Sequence, residues 1–240
     1  MKVIVCQDYA EMSVKAARII AGQVISKPDG ILGLATGSTP EGTYKELIRL
    51  YENGLIDFSD IKTYNLDEYY PIKPDNDQSY RYFMDHHLFN YVNVKPENVH
   101  IPSGEMKNPA VECREYDEMV ERDGGIDLQL LGIGQNGHIG FNEPGDSLYY
   151  ETHLTDLTEN TIQANSRFFS EGEVMPTFAL TMGMGTIFSA KKILLLINGK
   201  NKHEAFKQLL TDKITTACPA TLLKLHPNVT VLCDKEAYGE

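Results

Sequence analysis

The sequence predicts an α/β fold: a single-domain, open, mostly parallel twisted sheet with helices on both faces, which is a Rossmann-like arrangement. Short apolar runs that suit strands alternate with amphipathic segments that suit helices over most of the 240 residues. The apolar runs are nearly continuous, which is typical of parallel strands buried on both faces. No linker, repeat or low-complexity tract divides the chain, so one domain is expected to span residues 1–240.

The first half of the chain is expected to contain four strands and most of the long helices. The strands are predicted at residues 2–6, 31–35, 61–66 and 98–101. The helix predicted over 9–26 has its apolar residues at helical spacing, and turn residues at 27–30 end it. Further helices are predicted over 77–91 and 110–122.

The turn at 36–40, Thr-Gly-Ser-Thr-Pro, joins the second predicted strand to a helix. Thr39 is expected to cap that helix, and Pro40 suits its first position. Free N–H groups at a helix start favour an anion, typically a phosphate, so Gly37, Ser38 and Thr39 are candidate binding residues. Ordinary helix capping explains the same residues equally well.

The second half of the chain adds further strands and short helices. Strands are predicted at residues 126–131, 177–182, 192–198 and 229–233. Short helices are predicted from Gly183, over 201–210 and over 220–225. The segment 146–173 is polar and has no clear period, so we expect it to be irregular.

A glycine-rich segment at 132–144, here called the glycine loop, follows the strand predicted at 126–131. Four of its glycines fall within nine positions, and glycine allows close backbone approach and positive φ. The loop also contains Asn136, His138 and Glu143. A carboxylate that orients an imidazole makes a competent proton shuttle, whereas the alternative is a structural histidine in a glycine turn.

Asp67 follows the third predicted strand, and the turn at 36–40 and the glycine loop also follow strands. Because ligands of open α/β sheets bind beyond the carboxyl ends of the strands, these segments are expected to form one site. An aspartate with a reference pKa of about 3.9 is ionised at neutral pH, so Asp67 could act there as a base at carbon. Taken alone, the two residues Asp67 and Glu68 are more simply explained as a solvated loop or as a cap of the next segment.

Charge and motif content exclude several classes of protein. The formal net charge is −12 and no basic run occurs, which argues against nucleic acid or an anionic membrane as a partner. No apolar run approaches about 20 residues, so no membrane span is expected. Scattered cysteines and the absence of a signal-like N-terminus predict a cytoplasmic protein with reduced thiols. No zinc-type motif occurs, so no metal is expected.

Five motifs follow one another along the chain. They are Leu-Ala-Thr-Gly-Ser-Thr-Pro at 34–40, Asn-Leu-Asp-Glu-Tyr at 65–69, the glycine loop, Asn-Ser-Arg-Phe-Phe at 165–169 and Leu-His-Pro at 225–227. Together they resemble the glucosamine-6-phosphate deaminase family over almost the whole length of the chain. The wider superfamily includes 6-phosphogluconolactonases, but the motifs at 65–69 and 137–144 are similar to those of the deaminase branch.

The resemblance implies conversion of glucosamine 6-phosphate and water to fructose 6-phosphate and ammonium, without a redox cofactor or a metal. His138, assisted by Glu143 beside Asn136, would open the sugar ring. Asp67 would take the proton from C2 and return one to C1 through an enediol-type intermediate. The phosphate would be held by Gly37, Ser38, Thr39 and two residues that could otherwise be surface cations, Arg167 and Lys202. A lid would fall at 158–175 and shield the intermediate from water.

Two departures from some members of the family affect the expected behaviour. Asn136 stands where some members have Asp, so Glu143 is expected to be the only nearby carboxylate, and ring opening is expected to tolerate the change. Hexameric, allosterically activated members carry basic residues after the glycine loop, whereas polar or acidic ones stand near 151–156 here. A monomer or small homo-oligomer without an allosteric activator is therefore expected.

Two other functions are compatible with parts of the pattern. A 6-phosphogluconolactonase-type hydrolase would use the same phosphate-binding residues, with His138 as the base that activates water. Asp67 would be dispensable in that reaction. A non-catalytic sugar-phosphate sensor of a regulator would require a DNA-binding segment, which the sequence does not show. Release of ammonia from glucosamine 6-phosphate separates these alternatives from the deaminase.

Overall fold

The structure is a computed structural model that describes residues 1–158, 162 and 175–240. Its strands are β1 (Lys2–Cys6), β2 (Ile31–Leu34), β3 (Lys62–Asn65), β4 (Asp67–Tyr70), β5 (Val99–His100), β6 (Leu128–Leu131), β7 (His153–Asp156), β8 (Phe178–Thr181), β9 (Ile193–Ile197) and β10 (Val229–Asp234). Its α-helices are α1 (Tyr9–Ser26), α2 (Ser38–Glu52), α3 (Tyr80–His87), α4 (Pro109–Arg122), α5 (Met184–Phe188), α6 (His203–Leu209) and α7 (Lys235–Tyr238).

A seven-stranded sheet forms the centre of the fold, in the order β1-β10-β9-β6-β2-β3-β5. Every adjacent pair in this sheet is parallel. Strands β2, β6 and β9 are fully buried along their length, as their continuous apolar character predicts. The predicted open, mostly parallel sheet is therefore confirmed.

Helices cover both faces of the central sheet, and each face has its own apolar core. On one face, buried residues of α1, α2 and α3, such as Met12, Tyr44 and Met84, pack on alternate strand residues. On the other face, α4 and α6 contribute Tyr116 and Phe206 to a second core. Because strand side chains alternate between faces, a continuous apolar strand can supply both cores at once.

A second sheet, with the antiparallel order β4-β8-β7, corrects the prediction around Asp67. The third strand of the central sheet ends at Asn65, and Asp67 begins β4 instead of closing that strand. The prediction that residues 146–173 are irregular is also wrong in part, because His153–Asp156 forms β7 and pairs with Phe178–Thr181. The antiparallel partners lie far apart in sequence, so no local signal indicates the pairing.

The start of α2 differs from the prediction as well. The helix begins at Ser38, so Thr39 lies inside its first turn and is not the cap. Gly37 precedes it with a φ of 96°, which an L side chain rarely adopts, and this allows the sharp strand-to-helix turn. The Thr39 hydroxyl donates to Asn198 Oδ1 at 2.7 Å and ties the turn to the end of β9.

Shorter elements also differ from their predicted bounds. The helix predicted over 77–91 is α3 followed by a 3₁₀ turn, and the helix predicted over 220–225 is a 3₁₀ segment at Pro219–Leu225. The predicted lid at 158–175 lies outside the described residues, apart from 158, 162 and 175. Within the described ranges, none of the helices has the length and apolar character needed to cross a membrane.

A buried aspartate connects the starts of the strands at one end of the central sheet, where β2 and β6 begin. Asp127 accepts hydrogen bonds from Lys27 Nζ at 2.8 Å, Lys191 Nζ at 2.7 Å and the Ile31 N–H at 2.9 Å. Burial alone would raise the pKa of Asp127, but these three contacts outweigh burial and lower it. The group therefore joins the segments that enter β2, β6 and β9.

We expect Asp127→Ala to lower the free energy of unfolding by about 1–3 kcal/mol at pH 7, because it removes a buried acceptor that three donors share. A carboxyl with a lowered pKa stabilises the fold above its unfolded-state pKa and loses this effect as the pH falls through its folded-state pKa. The difference from wild type in urea unfolding should therefore shrink below about pH 4.

The exposed pair between Lys95 and Asp60 provides the control, because exposed ion pairs contribute little. Asp60→Ala should leave the unfolding curve unchanged. Equal effects of the two substitutions at pH 7 would contradict the role given to Asp127.

Candidate active site

A cavity of about 670 Å³ opens beyond the carboxyl ends of β2, β3, β6 and β9. It brings together most of the residues that the sequence analysis selected. They are Gly37, Ser38, Thr39, Asp67, Asn136, His138, Glu143 and Lys202. Arg167 lies outside the described residues. A smaller cavity of about 420 Å³, beside Pro71 and Lys107, contains none of the candidates.

The glycine loop holds the His138 ring directly against its own backbone. The Gly134 N–H donates to the His138 carbonyl at 2.9 Å, and the Gly137 N–H donates to the Gly134 carbonyl at 3.0 Å. A Cβ built on Gly134 would stand 2.3 Å from the imidazole ring, so only glycine leaves room for it. Gly137 has a φ of 87°, and a Cβ built on it would likewise stand 2.3 Å from the Cys218 sulfur.

Glu143 lies between Asn136 and His138. Asn136 Nδ2 donates to Glu143 Oε2 at 2.7 Å, and Glu143 Oε1 lies 3.1 Å from His138 Nδ1. The Nδ1 atom makes no aligned hydrogen bond, so this second contact is a close approach of the two groups. Burial alone would raise the pKa of Glu143, but the contacts from His138 and Asn136 outweigh it and lower the pKa. An ionised carboxylate thus faces the imidazole.

Asp67 is buried at the start of β4, where it pairs with Thr181 of β8. The glycine loop comes close to it, because a Cβ on Gly140 would lie 3.5 Å from Asp67 Oδ2. Burial, and to a smaller extent the neighbouring Glu68 carboxylate, raise the pKa of Asp67 to about 8. The expectation of an ionised aspartate, which rested on the reference pKa, is therefore wrong for the ligand-free site.

The other part of the cavity suits an anion. Gly37, Ser38 and Thr39 form the turn into the N-terminal end of α2, whose free N–H groups favour negative charge. Lys202 lies at the end of a 3₁₀ turn after β9, and partial burial lowers the pKa of its ammonium group. No carboxylate among the described residues forms an ion pair with Lys202, so its charge is available to a ligand.

Tyr80 and Phe141 are cavity residues that the sequence analysis did not select. Their rings are nearly parallel, at 6° and 6.2 Å between centroids, and both line the cavity near Asp67. The aromatic residues of the helix predicted over 77–91 were the available signal. Their spacing alone did not indicate which one would face the cavity. Among the described residues, no three His, Cys, Asp or Glu side chains are grouped to hold a metal ion.

The family described as glucosamine-6-phosphate isomerases/6-phosphogluconolactonase matches residues 8–232. This chain therefore belongs to that family. It is 57% identical over 237 residues to the glucosamine-6-phosphate deaminase of Thermoanaerobacter pseudethanolicus, covering 99% of this chain and 94% of that protein. It is 53% identical to the glucosamine-6-phosphate deaminase of Halothermothrix orenii, covering 99% and 98% of the two chains.

Solved structures show the same relationship. A monomeric glucosamine-6-phosphate deaminase superimposes with a TM-score of 0.95 at 50% identity, with 99% of each chain covered. A 6-phosphogluconolactonase from Thermotoga maritima has a TM-score of 0.77 at 21% identity, covering 98% of this chain and 99% of that one. The second likeness shows the shared fold alone.

We expect Gly134→Ala to displace the His138 imidazole, because the added methyl group would overlap the ring. The nitrogen resonances of His138 in a two-dimensional NMR spectrum should shift strongly, while thermal unfolding changes little. Gly132→Ala is the matched control, since a Cβ at that position meets nothing within 4 Å. Unchanged His138 resonances in Gly134→Ala would contradict the close packing described here.

Proposed function

We propose that this protein is a glucosamine-6-phosphate deaminase, which converts glucosamine 6-phosphate and water to fructose 6-phosphate and ammonium. The observation that carries the proposal is the electrostatic contrast within one cavity. A buried carboxyl, Asp67, shares the cavity with the Lys202 ammonium and the start of α2. A substrate with a phosphate and an ammonium group matches both features. The deaminase relatives at 53–57% identity support the same reading.

In the proposed mechanism, His138 and Glu143 open the sugar ring. The imidazole takes the proton from the C1 hydroxyl and delivers one to the ring oxygen, so that the C1–O5 bond breaks and an aldehyde forms. Glu143 favours the charged imidazole during this transfer, because the two groups approach within 3.1 Å. Asn136 holds the second carboxylate oxygen by its 2.7 Å hydrogen bond, and a neutral amide is sufficient for that purpose.

Asp67 then acts as the base at carbon. It takes the proton from C2 and returns one to C1 through an enediol-type intermediate, after which water adds at C2 and ammonium leaves. The raised pKa makes its carboxylate a stronger base than an exposed aspartate. The substrate ammonium at C2 supplies the opposite charge that favours the ionised form when the substrate is bound. A 6-phosphogluconolactonase mechanism would not use this buried carboxyl as a base at carbon.

Phosphate binding is proposed for Gly37, Ser38, Thr39 and Lys202, with Arg167 added from the family motif. Helix N–H groups and a lysine are common partners of phosphate. The proposed steps are proton transfers and additions of water, so they require neither a redox cofactor nor a metal. We also propose that the chain forms one catalytic domain that works as a monomer without an allosteric activator, as the similarity to a monomeric deaminase suggests.

Asp67→Asn should reduce the turnover of glucosamine 6-phosphate at least about 100-fold, in line with the usual contribution of a general base. The same variant should be more stable than wild type at neutral pH. A raised folded-state pKa means that wild type loses stability as the pH rises from about 4 to about 8, and the amide avoids this loss. A coupled ammonia assay and thermal unfolding at pH 5 and pH 9 measure both effects.

Asp75→Asn is the control, because Asp75 is exposed and lies outside the cavity. It should keep normal turnover and stability. Near-normal ammonia release by Asp67→Asn would remove Asp67 from the mechanism. Failure of the wild-type protein to release ammonia would reject the proposed function itself.

A further inference from the structure

Glu68 is a buried carboxylate, and neither the sequence motif nor the proposed mechanism gives it a role. Its side chain is 2% exposed and accepts three backbone hydrogen bonds. Oε1 accepts from the N–H groups of Tyr69 and Tyr80 at 2.8 Å each, and Oε2 accepts from the Arg81 N–H at 2.9 Å. Tyr80 and Arg81 are the first two residues of α3. The carboxylate thus occupies the positive end of that helix.

These contacts connect two parts of the cavity. Asp67 is the residue before Glu68 on β4, whereas Tyr80 lines the cavity from the start of α3. The Tyr80 ring packs on Tyr69 with centroids 4.8 Å apart. A shift of α3 relative to β4 would therefore change the space between Asp67 and Tyr80.

We propose that Glu68 is a positioning residue, whose buried carboxylate fastens the strand that carries Asp67 to the start of α3 and fixes Asp67 against the cavity wall at Tyr80. The inference rests on the proposed function for its effect on turnover. Its geometric part concerns the ligand-free protein and can be tested without a substrate.

The hydrogen bonds also make the two adjacent carboxyls unequal. Glu68 has three N–H donors that favour its charged form, whereas Asp67 accepts none from the described residues. Burial raises the pKa of Glu68 to about 7 despite those donors, and that of Asp67 to about 8. The three donors favour the charged form of Glu68, and a charge on Glu68 disfavours the ionisation of Asp67 beside it.

Other titratable and polar groups also surround Asp67. The phenols of Tyr69, Tyr80 and Tyr116 stay neutral because burial raises each pKa above the usual value. Strand β8 presents Thr181, and the glycine loop presents the backbone of Gly140. His138 and the ionised carboxylate of Glu143 line the same cavity 3.1 Å from each other, and the Lys202 ammonium lines it as well. Among the surrounding groups, Glu68 is the carboxylate that directly follows Asp67 in the chain and raises its pKa.

The test is a ¹³C carboxyl NMR titration of the ligand-free protein, with Asp67→Asn used to assign the Asp67 signal. In Glu68→Gln, the Asp67 carboxyl should titrate about one pH unit or more below its wild-type value, because the neighbouring charge is gone. A glutamine amide offers one acceptor oxygen, so hydrogen exchange at the Tyr80 or Arg81 amide should also accelerate. The turnover number should fall about tenfold or more, because Asp67 is no longer held in place.

Asp127→Asn is the matched control, because it also neutralises a buried carboxylate that accepts a backbone N–H but lies at the opposite edge of the sheet. It should destabilise the protein and leave the Asp67 titration unchanged. An unchanged Asp67 titration in Glu68→Gln would overturn the proposal, whatever happens to turnover.

If Glu68→Gln does not fold, the wild-type titration still decides. Two coupled carboxyl titrations above about pH 6 support the arrangement, and two independent titrations near pH 4 would overturn it. A wild-type protein that releases no ammonia but shows the coupled titration would reject the proposed function and keep the role of Glu68 in the structure.

Discussion

The burial of the Asp67 carboxyl is the constraint on which the rest of the cavity depends. A carboxyl removed from water favours its neutral form, since the charged form loses its hydration. The chain places it there by leaving the central sheet after Asn65 and pairing β4 with β8, so that Asp67 faces the glycine loop across Thr181. The same burial that strengthens this group as a base also makes its charge unfavourable in the empty cavity. The small antiparallel sheet keeps the residue buried, because β4 begins at Asp67 and pairs there with Thr181 of β8.

The imidazole that we propose as the proton shuttle is positioned by backbone packing more than by side-chain contacts. The imidazole of His138 rests on Gly134, and Gly137 rests on Cys218, both at distances that exclude a Cβ. The segment around Cys218 holds the glycine loop at two points. The Ala220 N–H donates to the Gly137 carbonyl at 2.9 Å, and the Gly145 N–H donates to the Thr216 carbonyl at 3.3 Å. A loop fixed in this way keeps the ring nitrogens at a defined place, which proton transfer requires.

The sequence predicted the central sheet and most of the site, because both rest on local patterns. Continuous apolar runs locate β2, β6 and β9, and the turn at 36–40 and His138 stand out because they follow β2 and β6. Asp67 was selected because it follows the third predicted strand. The pairing of β4 with β8 and β7 could not be predicted, since it joins segments that are distant in the chain. The raised pKa of Asp67 was missed for a related reason, because the burial that causes it comes from tertiary packing. Glu68 was interpreted only as part of a solvated loop or a cap, and its link to α3 was not predicted because two of its donors lie 12 and 13 residues away.

The charges of the cavity explain how binding and catalysis could be linked in the proposed reaction. Lys202 and the start of α2 attract a phosphate, but any sugar phosphate would satisfy them. In the proposed reaction, Asp67 beside Glu68 would favour a cation over a neutral hydroxyl group, because the cation offsets the charge that Asp67 gains when it ionises in a site of low polarity. A ligand with an ammonium group therefore favours the ionised form of the base it needs, whereas a neutral sugar phosphate leaves the proton in place. In the proposed reaction, the ammonium group by which an amino sugar is selected is therefore also the group that activates the base.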